Sequence, residues 1–303
     1  MKQPARTWQM TQASFRLWWM AARPRTLTIA ISPVIVGTTL AWLEQGRVHL
    51  PTFALTLLAA VLIQAGTNLH NDAADEKADC TSRLGPPRVS AQGLLPAHQV
   101  RRAAYLCFAL AVLIGAWLVW RGGWPVLLAG LASVAAGLAY SGGPRPISHT
   151  PFGELFVVIF FGLVGVAGTY WLQTFGLSAR AVIGGLVVGL PAAAVLLVNN
   201  TRDVMQDAAA GRRTLAMLTG RANAAIIYAA LLLLPYVLLA LPAPGFATHS
   251  GRFPWLVFLT LPYAAWLIRQ FTRLPLPMFN ELLVNTARLQ FAIAALLCLA
   301  LVQ

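Results

Sequence analysis

Two short stretches of the chain carry asparagine and aspartate side chains at the spacing of a divalent-cation site. In each stretch an asparagine is followed by aspartates four and eight residues later. The members are Asn71, Asp75 and Asp79 in the first stretch and Asn199, Asp203 and Asp207 in the second. On a helix this spacing places the three side chains on one face, one turn apart. Because Mg2+ prefers oxygen ligands and combines carboxylates with substrate phosphates, the pattern favours binding of a diphosphate through bridging Mg2+.

The acidic residues of the chain are concentrated in these two stretches. Six of the nine aspartates and glutamates lie there, Asp72 and Glu76 among them, although these two fall off the shared helix face. Carboxylates near a membrane are energetically costly, so their clustering indicates a function rather than a solvated helix end. Two facing columns of carboxylates would repel each other unless cations lay between them. The sequence therefore predicts a metal site shared by the two stretches.

Arginine and tyrosine side chains flank the acidic stretches and are candidates for contacting phosphate. They are Arg202, Arg212 and Arg213 beside the second stretch, and Tyr140 and Arg145 at the end of the fourth apolar segment. The guanidinium group binds phosphate through two parallel hydrogen bonds. Tyr140 and Arg145 are placed to reach a phosphate or its leaving oxygen. Arg145 also has a simpler interpretation, as a loop charge that sets membrane topology.

The composition is that of a polytopic membrane protein. Of the 303 residues, 58% are hydrophobic and 10% are charged, whereas soluble domains contain about 25% charged residues. The net charge of +13 is carried by basic residues in short loops between apolar segments. Such residues act as topology signals and phosphate contacts, so the charge does not indicate a nucleic-acid partner.

Apolar segments long enough to cross a bilayer occur nine times, and they predict an all-α bundle. They run over about residues 26–43, 52–70, 101–120, 124–141, 152–174, 180–199, 222–241, 254–270 and 287–303. The two acidic stretches begin 128 residues apart, and each follows an even-numbered segment. This offset predicts two pseudo-repeated halves, segments one to four and five to eight, with the ninth added.

Charge and amphipathicity predict how the chain lies in the membrane. Residues 1–25 interleave aromatic and basic side chains, which is typical of an amphipathic helix on the membrane surface. Residues 26–303 then form a single transmembrane domain, with loops at about 71–100 and 200–221 as cytoplasmic caps over the site. With the N-terminus in the cytoplasm, 18 basic residues face inward and four face outward. The positive-inside rule therefore places the N-terminus and both acidic stretches on the cytoplasmic side and the C-terminus outside.

These residues resemble the motifs of the UbiA superfamily of intramembrane prenyltransferases, most closely the branch that prenylates 1,4-dihydroxy-2-naphthoate in menaquinone synthesis. The matching stretches are Ala22–Leu27, Asn68–Asp72, Tyr140–Pro146, Gly153–Phe156, Asn199–Asp203 and Ala210–Ala216. Two positions depart from the superfamily pattern. Ala73 and Ala74 replace a frequent aromatic residue, which bears on the choice of acceptor, and Tyr140 is followed by a Gly-Pro-Arg sequence in place of Tyr-x-x-x-Lys.

The resemblance implies a nine-helix bundle around a central cavity that opens sideways to lipid. It also implies that Mg2+ and the diphosphate are held by Asn71, Asp75, Asp79, Asp203 and Asp207, with Asp72 as an additional ligand. The residues acting in catalysis would be Asp75, Asp203, Tyr140 and Arg145. By their positions relative to the motifs, the implied contacts to the phosphates come from Asn71, Tyr140, Arg145, Asn199, Arg202, Arg212 and Arg213.

The implied activity is Mg2+-dependent transfer of a polyprenyl group from polyprenyl diphosphate to 1,4-dihydroxy-2-naphthoate in the cell inner membrane, with release of diphosphate. The alternative acceptors are 4-hydroxybenzoate, homogentisate and a chlorophyllide-type tetrapyrrole. A membrane transporter is a more distant alternative, because it would place its acidic pairs near mid-membrane and not at segment ends. A non-catalytic assembly factor does not account for the paired acidic motifs. The sequence leaves the prenyl chain length and the oligomeric state open.

Overall fold

The structure is a computed structural model, and it describes residues 15–76, 84–85, 88–241 and 254–303. All regular elements within these ranges are helical, as the apolar segments predict. Residues 1–14 of the predicted amphipathic segment and the candidate ligand Asp79 lie outside the described residues. Their predicted roles therefore stay predictions.

Ten α-helices follow a helical N-terminal segment, residues 15–22, in the described part of the chain. In order they are α1 (Pro24–Gln45), α2 (Leu50–Ala74), α3 (Ala97–Gly122), α4 (Trp124–Ser141), α5 (Gly153–Thr174), α6 (Ala179–Arg202), α7 (Val204–Ala209), α8 (Leu215–Ala240), α9 (Leu261–Arg273) and α10 (Phe279–Val302). Helix α5 includes a π-helical stretch, Ile159–Val164. The long helices are apolar along most of their length. They are helical because a backbone in lipid must satisfy its own hydrogen bonds.

Eight of the helices formed by the described residues are long and apolar enough to cross a membrane: α1 to α6, α8 and α10. The protein is therefore a multi-pass membrane protein. The predicted segment 254–270 is different, because the 3-10 helix Trp255–Thr260 leads into α9, which has only 13 residues. Arginines near the end of α9, Arg269 and Arg273, limit its apolar length. The prediction of about nine helices thus corresponds to eight long helices and one shorter one.

The predicted pseudo-repeat is visible in the boundaries of the first two helices of each half, whereas the helices that follow do not keep the same offset. A shift of 128 residues brings α1 onto α5 and α2 onto α6 to within one residue at each end. The two motif helices also end in the same way, with the middle aspartate as the C-cap residue. Asp75 has φ −91° and ψ 13°, and Asp203 has φ −94° and ψ 10°. Two equivalent helices therefore deliver the two acidic stretches to the site.

Helix α6 lies at the centre of the bundle and is the most buried of the candidate spans, whereas α4 is the least buried. Helix α6 packs closely against α5 through three glycines, Gly162 of α5 and Gly185 and Gly189 of α6. A Cβ atom added at Gly162 would lie 2.5 Å from the carbonyl oxygen of Gly185, and one at Gly189 would lie 2.8 Å from the Cα of Gly162. Small residues allow membrane helices to approach in this way. This contact fixes the position of the second acidic stretch, which continues from the C-terminal end of α6.

The helical segment 15–22 has one exposed aromatic face. Phe15 and Trp19 are 68% and 54% exposed, and their rings stack with centroids 6.1 Å apart. On the opposite side Ala21 belongs to a small core cluster that also contains Val89 and Val100. The segment is thus amphipathic, and it packs against the start of α3 and the loop before it.

Candidate active site

A cavity of about 950 Å³ lies among helices α1 to α6. One part of its wall is polar, and the remainder is apolar. The polar lining residues include Arg23, Gln64, Asn68, Asn71, Arg88, Tyr140, Ser148, Asn199, Asn200, Asp203, Asp207 and Arg212. Among the apolar lining residues, Leu127 and Leu131 of α4 are 43% and 57% exposed. The cavity is therefore open to the surface beside α4, which suits a substrate with an anionic head and a long apolar tail.

The first acidic stretch forms the C-terminal end of α2. The side-chain amide of Asn71 donates hydrogen bonds to Asp75 Oδ2 at 3.3 Å and to Ser141 Oγ at 2.6 Å. Arg23 Nη2 donates to Asn71 Oδ1 at 3.2 Å. The predicted adjacency of Asn71 and Asp75 on one helix face is confirmed by the first of these bonds. Residues from α2, α4 and the N-terminal end of α1 thus converge on Asn71.

The second acidic stretch keeps its helical spacing across the break between α6 and α7. The backbone N–H of Asp203 donates to the carbonyl of Asn199 at 3.1 Å, and that of Asp207 donates to the carbonyl of Asp203 at 2.8 Å. All three side chains line the cavity. The predicted i, i+4, i+8 arrangement is therefore present in the structure.

Arg202 is fully buried next to this stretch, and it does not line the cavity. Its guanidinium group donates to both carboxylate oxygens of Asp203, at 2.7 and 2.6 Å. It also donates to Asn199 Oδ1 at 2.8 Å and to Asn280 Oδ1 at 2.7 Å. Arg202 therefore orients the side chains of Asn199 and Asp203 from behind and connects them to α10.

One arginine joins the two acidic stretches. Arg212 Nη2 lies 2.9 Å from Asp75 Oδ1, and its Nη1 lies 3.1 Å from Asp207 Oδ1. Arg88 Nη1 lies 3.1 Å from Asp75 Oδ2. The repulsion expected between the carboxylates of the two halves is thus offset by guanidinium groups in this structure. The same cationic groups are positioned to bind an anion that enters between the stretches.

The donor atoms of the site fit Mg2+. The two stretches offer carboxylate and amide oxygens, which are hard ligands. Within the ranges that the structure describes, no three carboxylate, histidine or cysteine side chains are close enough to hold one metal ion. Mg2+ commonly uses only one or two protein carboxylates and completes its shell with water and substrate phosphate. The arrangement therefore fits metal ions held jointly by the protein and a diphosphate.

Several predicted site residues have other positions or partners. Asp72 accepts hydrogen bonds from the backbone N–H groups of Val89 and Ser90, at 3.3 and 3.0 Å, so it anchors the loop after α2. Arg145 is exposed in the loop after α4 and does not line the cavity. Arg213 is also exposed, and its backbone N–H donates to the carbonyl of His149 at 3.0 Å. The structure does not bring Arg145 or Arg213 together with the other site residues.

Tyr140, by contrast, lines the cavity, as do Arg23, Asn71 and Arg212. Its contact with a leaving oxygen stays a prediction.

Arg23, Arg88 and Asn200 are among the polar lining residues that sequence reasoning did not predict as site residues. Arg23 directly precedes α1 and has a left-handed backbone conformation, with φ 53°. Its position before Pro24, beside an apolar span, is a signal that sequence inspection can use. Arg88 carries no comparable signal, because its contact with Asp75 depends on how the loop after α2 folds back.

His149 lies in the short 3-10 helix Ile147–His149 between α4 and α5, outside the membrane spans. Burial lowers the pKa of its imidazole, the positive charge of Arg212 lowers it further, and Asp75 opposes the shift. The neutral imidazole is therefore favoured next to the cationic part of the site.

Comparison with known proteins identifies relatives over most of the chain. A model of the UbiA prenyltransferase family matches residues 30–277. The chain is 32% identical over 267 residues to a 1,4-dihydroxy-2-naphthoate octaprenyltransferase of Bacillus subtilis, which covers 87% of this chain and 84% of that protein. It is 34% identical over 253 residues to an Escherichia coli enzyme of the same name, covering 81% of each. Human UbiA prenyltransferase domain-containing protein 1 is 29% identical over 291 residues, covering 94% of this chain and 82% of that protein.

Solved structures share the fold. A UbiA homolog from Archaeoglobus fulgidus, bound to GPP and Mg2+, superposes with a TM-score of 0.67 at 16% identity and covers 94% of this chain and 99% of that one. The apo structure of a UbiA homolog from Aeropyrum pernix K1 gives a TM-score of 0.62 at 20% identity, covering 88% and 96%. Together with the matched family model and the relatives above 30% identity, this agreement shows that the chain belongs to the UbiA prenyltransferase family.

Proposed function

We propose that this protein transfers a polyprenyl group from polyprenyl diphosphate to 1,4-dihydroxy-2-naphthoate, in a Mg2+-dependent reaction that releases diphosphate. The observation that carries the proposal is the arginine bridge between two Asn/Asp stretches at the polar part of an otherwise apolar cavity. The acceptor is proposed from the relatives, several of which are named for this naphthoate.

The diphosphate head would bind between the two acidic stretches. Asn71, Asp75, Asp203 and Asp207 supply oxygen ligands for the metal, with Asp79 and Asn199 as further candidates from the sequence spacing. When bound, Mg2+ neutralises the negative charge that develops on the departing diphosphate. The guanidinium groups of Arg212 and Arg88 exchange their carboxylate partners for phosphate oxygens, and Arg23 approaches from the start of α1.

The apolar part of the cavity holds the prenyl chain and excludes water from the reacting carbon. Phe160, Phe161 and Trp171 line it, and their ring faces attract a developing allylic cation. Cleavage of the allylic C–O bond leaves its electron pair on the diphosphate. The electron-rich ring of the acceptor then forms the new C–C bond and loses CO2 from the substituted carbon. Tyr140, which lines the cavity, would contact the leaving oxygen.

Topology follows from the same proposal. The basic loops favour a cytoplasmic location for the N-terminus and both acidic stretches. The C-terminus then lies outside, with the 3-10 helix Trp255–Thr260 and α9 together forming the ninth crossing. The exposed aromatic face of residues 15–22 supports an N-terminal segment that lies on the lipid surface before a single transmembrane domain. The opening of the cavity beside α4 would then admit the prenyl tail from lipid.

A membrane assay tests the reaction. Membranes containing the protein are incubated with Mg2+, a polyprenyl diphosphate and one acceptor at a time: 1,4-dihydroxy-2-naphthoate, 4-hydroxybenzoate or homogentisate. The proposal predicts prenylated product and stoichiometric diphosphate with the naphthoate. Product with another acceptor alone would reassign the acceptor, and the absence of both prenylated product and diphosphate release with all of them would exclude prenyl transfer.

A further inference from the structure

Glu154 is a buried acidic residue outside the two acidic stretches, and the proposed metal–diphosphate site does not use it. It lies in the first turn of α5, within a membrane span, and is 5% exposed. Its Oε1 accepts a hydrogen bond of 2.9 Å from the side-chain amide of Asn200. An ionisable group inside a membrane helix is costly, so its presence indicates a role beyond packing.

The pair formed by Glu154 and Asn200 fixes the orientation of an amide in the wall of the cavity. Because Glu154 Oε1 accepts the hydrogen bond, the NH2 group of Asn200 faces Glu154. The amide oxygen then points away from Glu154. Asn200 lines the cavity, and among the described residues no donor is hydrogen-bonded to its Oδ1. The cavity wall therefore presents one oriented hydrogen-bond acceptor on α6.

This acceptor is unsuited to a diphosphate. An amide oxygen backed by a carboxylate is electronegative, whereas the phosphate-binding part of the site is built from Arg88 and Arg212. The matching ligand group is a hydrogen-bond donor such as a hydroxyl. The helix that carries Glu154 also contributes two aromatic rings to the cavity wall. They are Phe156 and Phe160, which stack with centroids 5.9 Å apart. A hydroxylated aromatic ring satisfies both features.

We propose that Asn200 binds the aromatic acceptor by accepting a hydrogen bond from a ring hydroxyl, and that Glu154 is a positioning residue that holds the amide of Asn200 in this orientation. The inference rests on the proposed prenyl transfer and adds the residues that recognise the acceptor. Glu154 acts only through Asn200, so the two side chains should behave as one unit. The neighbouring Asn199 serves a different purpose, since Arg202 holds its oxygen next to Asp203.

The test combines protein variants with altered acceptors. Steady-state kinetics are measured for the wild type, Asn200→Ala, Glu154→Gln and the double variant, with geranylgeranyl diphosphate as donor. The acceptors are 1,4-dihydroxy-2-naphthoate and its two mono-O-methyl ethers. For the diol, Asn200→Ala should lower kcat/KM for the acceptor about ten-fold or more, as expected for loss of one well-oriented hydrogen bond. The KM for the prenyl diphosphate should stay within two-fold of the wild type (roughly the scatter between independent sites).

Two comparisons isolate the proposed contact. With one of the two methyl ethers, the wild type and Asn200→Ala should have equal kcat/KM, because the donor hydroxyl is gone. Glu154→Gln should lower kcat/KM for the diol, since glutamine both donates and accepts and no longer dictates the amide orientation. The double variant should be no worse than Asn200→Ala alone, as expected for residues that act through one contact.

The outcomes separate this inference from the proposed function. If Asn200→Ala leaves the acceptor kinetics unchanged, or loses the same factor with the diol and both ethers, the contact does not exist. Additive losses in the double variant would remove the positioning role of Glu154. Should Asn200→Ala fail to fold because the Glu154 carboxyl is left buried without its partner, the double variant has no carboxyl group there and supports the same comparison of diol and ethers. Absence of prenylated naphthoate from the wild type would instead contradict the proposed function.

Discussion

Arg212 and Asp75 form an ion pair across the two halves of the protein, with Nη2 and Oδ1 2.9 Å apart. The same guanidinium reaches Asp207 at 3.1 Å, so the acidic end of α2 and the stretch after α6 are connected through one side chain. In this arrangement the guanidinium group of Arg212 lies between the carboxylates of Asp75 and Asp207 and offsets their negative charge. In an incoming metal–diphosphate complex, the metal ion would neutralise the two carboxylates and the phosphates would neutralise Arg212.

Replacing Arg212 with glutamine should reduce prenyl transfer about 100-fold or more, the effect expected when one charged donor to a departing anion is lost. The kcat/KM for the prenyl diphosphate is the quantity to measure. Arg102→Gln is the matched control, because Arg102 is exposed at the start of α3 and lies outside the cavity lining. Equal activity of both variants would show that the Arg212 bridge has no part in diphosphate binding.

Arg202→Lys should destabilise the protein even though the charge is kept. Lysine cannot reproduce the paired hydrogen bonds to both oxygens of Asp203, nor those to Asn199 and Asn280. Disrupting a buried ion pair costs about 3–5 kcal/mol when one partner is lost, and the lysine variant should show part of this loss. Thermal unfolding in detergent measures it. A melting temperature equal to that of the wild type would mean that Arg202 does not brace the second stretch.

The stability of the protein should fall on mild acidification, in part through His149. Its pKa in the folded protein is lowered by burial and by the charge of Arg212, whereas in the unfolded chain it returns to about 6.5. Between these values the unfolded state binds more protons, so the stability contributed by the neutral imidazole is complete above about pH 6.5 and is lost as the pH drops towards the folded pKa. His149→Gln should therefore show a smaller decrease in melting temperature between pH 7.5 and pH 5.5 than the wild type.

The control for this comparison is His98→Gln, at an exposed position near the start of α3. The melting temperature of this variant should decrease on acidification by as much as that of the wild type. If His149→Gln has the same pH dependence as the wild type, protonation of His149 is not linked to folding.

The sequence predicted those features of the site that depend on local spacing. Asn71 and Asp75 share a helix face because they are four residues apart, and the 128-residue offset located the partner stretch on an equivalent helix. Arg212 was predicted as a phosphate contact, although its bridge to Asp75 depends on the packing of the two halves. Such long-range pairings are set by tertiary structure, which spacing along the chain does not encode.

The features that the sequence did not predict depend on where loops and neighbouring helices lie. Asp72, off the shared helix face, was predicted as an additional metal ligand, but it accepts hydrogen bonds from the backbone N–H groups of Val89 and Ser90 in the loop after α2. Arg145 and Arg213 were selected for their proximity to the motifs along the chain, yet both are exposed. The pair of Glu154 and Asn200 joins residues 46 positions apart, and only the packing of α5 against α6 brings them together.

In the proposed reaction both acidic stretches bind one Mg2+–diphosphate complex. The most direct measurement is Mg2+-dependent binding of geranylgeranyl diphosphate to the purified protein, compared for the wild type, Asp75→Asn, Asp203→Asn and the exposed control Glu281→Gln. Either motif variant should abolish the Mg2+-dependent increase in affinity and prenyl transfer, while the control keeps both. Retention of Mg2+-dependent binding and full turnover by Asp75→Asn or Asp203→Asn would contradict the account.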